Sequence, residues 1–181
     1  MTRFVALLRG VNVGTAKRVP MADLRALLSA LGYGSVQTLL NSGNAVFESP
    51  NRAATAHARA IRAAIAETLG VDTPVVVKSA EEIAAIESGN ALAATASDPS
   101  RLLVAFTGSA DALQGLGALS ALVRAPERLH LGEHAAYLWC ASGILESKVG
   151  AALLGKAGGA ATTRNWATVL KIAALLRQND A

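Results

Sequence analysis

The sequence predicts an α+β fold made of two ferredoxin-like halves, with antiparallel or mixed sheets, and a C-terminal helix. Short apolar runs typical of strands alternate with longer segments whose apolar residues recur at helical spacing. Turn-forming residues separate these segments, and the first half follows the order βαββαβ, the split-βαβ arrangement. The order βαββα then returns in the second half. We expect the two halves, 1–79 and 80–181, to form one compact unit.

The first half contains every element of that order. Residues 4–8 are apolar on both alternating faces, as expected for a strand covered on two sides. Pro20 suits the first turn of a helix, because a backbone N–H there would have no partner. The pattern further predicts that this helix ends before Gly32 and that strands at 36–40 and 45–47 flank a hairpin turn at 41–44. A second helix at 52–69 and a fourth strand at 75–77 follow.

The second half repeats much of this order. Two glutamates lie in the first turn of a helix predicted at 80–87, where carboxylates complement the helix dipole. Thr162 or Thr163 is predicted to cap a final helix, whose apolar stripe begins at Trp166. The other elements predicted are strands at 102–106, 128–131 and 135–140, a glycine-weakened helix at 110–122 and a helix at 146–154.

The composition argues against several classes of protein. No apolar run approaches the roughly 18 residues of a membrane-spanning helix, and the run before Arg9 is too short for a signal peptide. We therefore expect a soluble cytoplasmic protein with no membrane partner. The single cysteine, Cys140, permits no internal disulfide or cysteine-cluster metal site, and the histidines lack metal-ligand spacing. We predict no metal, no cofactor and a solvent-facing His57.

The positive charge is concentrated near the start of the chain. The net charge is +4, and outside residues 1–25 the twelve basic and twelve acidic groups cancel. The first 25 residues therefore carry the whole excess, with Arg3, Arg9, Lys17, Arg18 and Arg25 against Asp23. This distribution favours an acidic partner that carries phosphate or carboxylate, or is a nucleic acid. The alternative is a solvated basic edge.

The loop predicted after the first strand, residues 9–20, is the first candidate site. Ligands of α/β sheets favour the crevice beyond the carboxyl ends of the strands. Gly10 and Gly14 would let backbone N–H groups face an anion, and Arg9 and Lys17 would supply charge.

The spacing of the glycines in this loop matches neither the common phosphate-binding motif nor the dinucleotide-binding motif. The sequence therefore does not predict ATP or NAD binding. The alternative interpretation is a tight connection between strand and helix, in which the Asn12 side chain satisfies the backbone of its own loop.

The predicted hairpin turn at 41–44 is the second candidate. Ser42 and Asn44 offer several hydrogen-bond donors and acceptors in a small space. Asparagine and glycine also tolerate the positive φ angles of such turns, so a turn without a function explains the same residues.

The third candidate is the start of the final helix, at Thr163, Arg164 and Asn165. Free backbone N–H groups at a helix N-terminus attract anions. Arg164 adds a full charge, but a cation at that end is unfavourable for the helix itself. This conflict predicts a partner for Arg164, either a carboxylate of the chain or a ligand.

These motifs together resemble a known bacterial family, the domain-of-unknown-function family 1697. The motifs are Leu-Arg-Gly-Val-Asn-Val-Gly at 8–14, Val-Pro-Met at 19–21, Ser-Gly-Asn at 42–44 and Thr-Thr-Arg-Asn-Trp at 162–166. The resemblance covers essentially the whole chain and implies two ferredoxin-like halves with a C-terminal helix, without an established activity. The chain departs from the family pattern at Thr15 and Ala167, which weakens the case for either position as a ligand contact.

The function predicted from these residues is the binding of a small anionic ligand in a basic cleft to which both ends of the chain contribute. The alternatives are single-stranded nucleic-acid binding, against which the strands carry few aromatics, and a non-catalytic interaction protein. The sequence assigns no catalytic residue, no reaction and no oligomeric state. The predicted ligand-binding residues are Arg9, Asn12, Gly14, Lys17, Ser42, Asn44, Thr163, Arg164 and Asn165.

Overall fold

The first sheet is organised around a strand that is apolar at nearly every position. In the structure, a computed structural model that describes residues 1–178, this strand is β1 (Thr2–Leu8), and it is buried from Phe4 onward. It pairs antiparallel with β3 (Asn44–Ser49) on one side and β4 (Val75–Ser79) on the other. The strand β2 (Gly34–Leu39) completes the order β2-β3-β1-β4.

Two amphipathic helices cover one face of this sheet. The helix α1 (Met21–Ala30) follows Pro20, which occupies the N-cap position, and buries three leucines. The helix α2 (Ala54–Leu69) ends at Gly70, which has a left-handed φ of 66°. Their apolar stripes pack with β1 and β3 into one core, because only one face of each helix is apolar. Members of that core include Phe4, Leu24, Leu28, Phe47, Ile61 and Ile65.

The second sheet repeats the same topology. Its central strand, β5 (Leu102–Phe106), is buried at every position. It pairs antiparallel with β7 (Ala136–Trp139) and β8 (Thr162–Asn165), and β6 (Arg128–Leu131) pairs antiparallel with β7. The order β6-β7-β5-β8 corresponds strand by strand to the order of the first sheet.

Four further helices belong to the rest of the chain. They are α3 (Ala80–Ser88), α4 (Ala110–Gly115), α5 (Lys148–Leu154) and α6 (Trp166–Arg177). The predicted helix at 110–122 is α-helical only as far as Gly115, and Leu116–Leu122 is a 3₁₀-helix. Glycines at 115 and 117 lower helix propensity there, which accounts for the tighter and shorter segments.

The predicted fold class is confirmed, because two antiparallel ferredoxin-like sheets are present with a C-terminal helix. The chain divides into two compact units: the first contains Met1–Ile83 and residues 172–178, and the second contains Ala84–Lys171. Among residues 1–178, none of the helices combines the length and apolar character needed to cross a lipid bilayer.

The prediction that His57 faces solvent is wrong. His57 is buried among the rings of Phe4, Tyr33 and Phe47. Its Nε2 lies 2.8 Å from the carbonyl oxygen of Asn51, so Nε2 carries the proton and donates it. Its Nδ1 lies 2.9 Å from the Tyr33 hydroxyl, which then donates to it. Both polar atoms are satisfied, which is what allows an imidazole to be buried.

A substitution at Gly43 tests how closely the hairpin turn approaches β1. Gly43 has φ of 88°, and an added Cβ would lie 2.8 Å from the Cβ of Leu8 and 2.8 Å from Val11 Cγ2. We expect Gly43→Ala to lower the free energy of unfolding by about 1–2 kcal/mol for the left-handed backbone and by roughly 1–3 kcal/mol more for the overlap. Urea unfolding measures this loss.

The matched control for Gly43→Ala is Gly70→Ala. Gly70 has a similar left-handed φ, but nothing lies within 4 Å of the added Cβ, so only the backbone cost applies. Equal losses of unfolding free energy in the two variants would contradict the steric explanation.

Candidate functional site

The loop between β1 and α1, residues 9–20, is held at its start by two neighbouring segments. The Leu8 N–H donates to the carbonyl of Gly43, 2.9 Å away, in the turn between β2 and β3. The Arg9 N–H donates to the carbonyl of Pro74, 3.0 Å away, and the Thr73 hydroxyl donates to the carbonyl of Arg9. The loop therefore begins from a rigid base at the carboxyl end of β1.

The Asn12 side chain organises the rest of this loop. Its Nδ2 donates to the carbonyls of Val19 and Asn41, each 2.8 Å away, and its Oδ1 accepts the Val19 N–H at 2.9 Å. One amide group thus joins the two ends of the loop to each other and to the hairpin turn. The alternative interpretation of Asn12, as a residue that satisfies its own loop, matches these contacts.

The loop has an unusual backbone conformation. Gly10, Asn12, Gly14 and Lys17 all have φ between 50° and 64°, in the left-handed region. Glycine adopts this region freely and asparagine tolerates it, but for lysine it carries a cost. The Lys17 carbonyl accepts the Asn12 N–H at 3.0 Å, and this bond helps to hold the strained residue in place.

The outer part of the loop is exposed and basic. Residues 13–18 face solvent, and they include Lys17 and Arg18. Beside them lies Asp72, whose carboxylate accepts two hydrogen bonds from Arg62, at 2.8 and 3.1 Å. These bonds hold the pKa of Asp72 below its usual value, and the nearby charge of Lys17 lowers it further. Lys17 therefore lies near a carboxylate that is already paired with Arg62.

The Asn44 side chain in the hairpin turn at 41–44 is bonded within its own hairpin. Asn44 is buried, and its Nδ2 donates to the Leu39 carbonyl at 2.8 Å and to the Ser42 hydroxyl at 3.0 Å. Both hydrogens of that amide are used within the turn. The structure brings Ser42 and Asn44 to the same end of β1 as the loop, in positions where they support it.

The third predicted segment lies on β8 (Thr162–Asn165), so the prediction that Thr162 or Thr163 caps the final helix is wrong. Thr163 pairs with Ala105 in the second sheet. The cap of α6 is provided by Asn165, whose Oδ1 accepts the Thr168 N–H at 2.9 Å. The strand was missed because its four residues are all polar and lack the apolar alternation that usually predicts one.

Arg164 is a buried cation on that strand. It lies opposite Val104 of β5, its side chain is almost fully buried, and its Nη1 donates to the Thr163 carbonyl at 2.7 Å. Burial lowers the pKa of Arg164 to about 10, because desolvation disfavours the charged form. Arg164 is thus placed inside the second unit and not at an exposed helix start.

The predicted residues therefore fall into two groups. Four loop residues and two turn residues meet at the carboxyl end of β1 in the first unit. The other three, Thr163, Arg164 and Asn165, belong to the second unit, and a common cleft for the two groups stays a prediction. Sequence reasoning missed Thr73 and Asp72, which the pairing of β1 with β4 brings to the loop, and Arg62 of α2, which bonds Asp72. No cluster of potential metal ligands occurs within residues 1–178.

The chain has detectable relatives among known proteins. The family model described as Protein of unknown function (DUF1697) matches residues 1–137. A similar solved structure is that of the conserved bacterial protein SP0830 from Streptococcus pneumoniae, which is 27% identical in sequence. That similarity covers 97% of this chain and 99% of the other chain, with a TM-score of 0.80. No curated protein matches the chain.

Removing the Asn12 amide tests its organising role. We expect Asn12→Ala to lower the free energy of unfolding by about 2–4 kcal/mol, because three hydrogen bonds of roughly 1 kcal/mol each are lost. The control is Asn41→Ala, which keeps the carbonyl that Asn12 bonds and removes only a side-chain contact at 3.5 Å. Comparable losses for the two variants in urea unfolding would rule out the proposed role of the amide.

The thiol of Cys140 provides a pH-dependent prediction. Cys140 is fully buried, and burial raises the pKa of its thiol to about 11. A hydrogen bond with Ser147 lowers this pKa, and the charge of Glu127 raises it. The folded protein keeps the proton after the unfolded chain loses it near pH 9, so this contribution to stability is complete below pH 9 and is lost as the pH rises to about 11.

We therefore expect a thiol-specific disulfide reagent to react slowly with the native protein at pH 8 and rapidly in guanidinium chloride. The free energy of unfolding of Cys140→Ala should fall less than that of the unmodified protein between about pH 9 and 11, because the thiol no longer titrates. Rapid modification of the native protein at pH 8 would show that Cys140 is not held as described.

Proposed function

We propose that this chain, which belongs to the DUF1697 family of proteins of unknown function, binds a small anionic ligand at the loop after β1. The ligand class is a molecule that carries phosphate or carboxylate. The observation that carries the proposal is Lys17, an exposed lysine with a left-handed φ of 50° in a loop whose two ends are joined by the Asn12 side chain.

The strained backbone of Lys17 closes the loop, because its carbonyl accepts the Asn12 N–H at 3.0 Å, but that bond does not require a lysine at this position. A non-glycine residue in the left-handed region costs roughly 1–2 kcal/mol, and glycine, which avoids this cost, already occupies two of the other left-handed positions of the loop. Strain of this kind persists where the surroundings hold it in place, and it concentrates at functional sites. The three hydrogen bonds of the Asn12 side chain provide such surroundings.

The rest of the loop suits the approach of an anion. No atom lies within 4 Å of the Cβ positions of Gly10 and Gly14, so a ligand can reach the backbone there. Lys17 and Arg18 are exposed beside these glycines, and the half-buried Arg9 adds to the positive potential. Asn12, Ser42 and Asn44 act as positioning residues, because their side chains are engaged within the loop and the turn.

Asp72 sets the strength of this site. Its carboxylate is held by Arg62 and lies close enough to Lys17 for the lysine to lower its pKa. A carboxylate in that position repels an incoming anion. Asp72→Asn should therefore strengthen anion binding, whereas loss of the Lys17 charge should weaken it.

Calorimetric titration with pyrophosphate at low ionic strength tests the proposal. We expect Lys17→Gln, which keeps the strained backbone, to weaken binding about tenfold, equivalent to about 1.4 kcal/mol. Lys17→Gly should weaken binding similarly but raise the free energy of unfolding by about 1 kcal/mol, because it relieves the strain. Asp72→Asn should bind more tightly than the unmodified protein.

The matched control is Arg59→Gln, which removes one exposed cation from α2, outside the loop. Its affinity for pyrophosphate should stay close to that of the unmodified protein. If Arg59→Gln and Lys17→Gln lose the same affinity, attraction depends on net charge and not on this loop.

A further inference from the structure

A second candidate site lies between α1 and α2 of the first unit. The α1–α2 groove has a volume of about 680 Å³ and is lined by residues 23–31 of α1 and 64–69 of α2. It exists because alanine stands at the positions where larger side chains would close the space, namely Ala26, Ala30 and Ala64. Its volume lies within the range typical of small-molecule sites.

The groove has an apolar wall. Leu27, which lines it, is only 7% exposed and is part of the core, whereas the neighbouring Leu31 is 40% exposed. An exposed leucine alone is ordinary, but one that continues a concave apolar surface gives an apolar ligand an area to cover.

Two carboxylates mark one end of the groove. Asp23 lies in the first turn of α1, and Glu67 lies in the last turn of α2. The helices run in opposite directions, because α1 follows β1, α2 follows β3 and those strands are antiparallel. The start of α1 and the end of α2 are therefore at the same end, and so are the two carboxylates.

These carboxylates are not neutralised by the chain. Within residues 1–178, neither Asp23 nor Glu67 forms an ion pair. Glu67 also lies at the negative end of the α2 dipole, where a negative charge is unfavourable. No basic residue lies in that last turn. Both carboxylates are exposed to solvent, so their charges stay available to a cation at this end of the groove.

We propose that the α1–α2 groove binds a small amphiphilic amine. The ammonium group lies between Asp23 and Glu67, and the apolar chain runs along Leu27 towards Leu31. The distance from residue 23 to residue 31 is about 12 Å at the helical rise of about 1.5 Å per residue, which suits a medium-length alkyl chain. This site takes a ligand of opposite charge to that of the loop after β1, and it shares no residue with that loop.

Calorimetry with three probes that share an octyl chain tests this inference. Octylammonium chloride should bind in a 1:1 complex at pH 7, and octyl glucoside should bind at least tenfold more weakly because it lacks the charge. The double variant Asp23→Asn/Glu67→Gln keeps the shape of both side chains and should weaken octylammonium binding at least tenfold. Equal affinity for the ammonium and the glucoside, or no saturable ammonium binding, would overturn the proposal.

A second variant locates the binding. Ala26→Leu fills the groove from an exposed position and should abolish octylammonium binding, whereas Ala66→Leu makes the same change at an exposed position of α2 outside the groove and should leave binding unchanged. Octyl sulfate serves as the anionic probe, and any binding it shows should survive Ala26→Leu. Octyl sulfate binding that matches the ammonium and is lost in Ala26→Leu would overturn the proposal.

A second copy of the chain could also occupy the groove, and sedimentation equilibrium of the free protein tests this. The unmodified protein should show the same mass as Ala26→Leu at every concentration. A concentration-dependent dimer that Ala26→Leu abolishes would overturn the proposal, because the groove would then be a subunit interface.

Discussion

The burial of β1 on both faces is the constraint from which the first unit follows. A strand that is apolar from Phe4 to Leu8 is stable only when strands flank it on both sides and other elements cover both faces. Because β3 and β4 are both antiparallel to β1, their first residues lie beside the last residues of β1. The turn before β3 and the segment before β4 must then meet the loop that leaves β1. The site is thus a consequence of strand pairing.

In the proposed anion site, the residues that hold the loop differ from those that would face a ligand. Asn12, Asn44 and Thr73 use their side chains on backbone carbonyls and so determine the shape of the loop. The side chains of Lys17 and Arg18 face solvent, and they form no hydrogen bond or ion pair in the described part of the chain. The polar residues most visible in the motif therefore serve as supports, and the exposed charge comes from the two neighbouring cations.

The sequence predicted the parts of the fold that depend on local pattern. The strand at 102–106 and the strand at 128–131 were placed at their observed bounds, because apolar runs and turn formers report burial directly. The strand β8 was missed, since four polar residues become a strand only by pairing with β5. His57 was misplaced for a related reason. Its neighbours in sequence are alanines, while the aromatic rings and the hydroxyl that enclose it come from other elements.

The sequence by itself determined the order of elements, the apolar central strands and the clustering of positive charge near the start of the chain. These properties depend on residue type and spacing, which can be observed without coordinates. The tertiary structure alone decided that the Asn12 amide bonds the carbonyls of Val19 and Asn41. It also decided that Asp72 lies near Lys17, and that Asp23 and Glu67 line the same groove. Each of these depends on contacts between segments far apart in the chain, and strand pairing and helix packing create such contacts only when the chain folds.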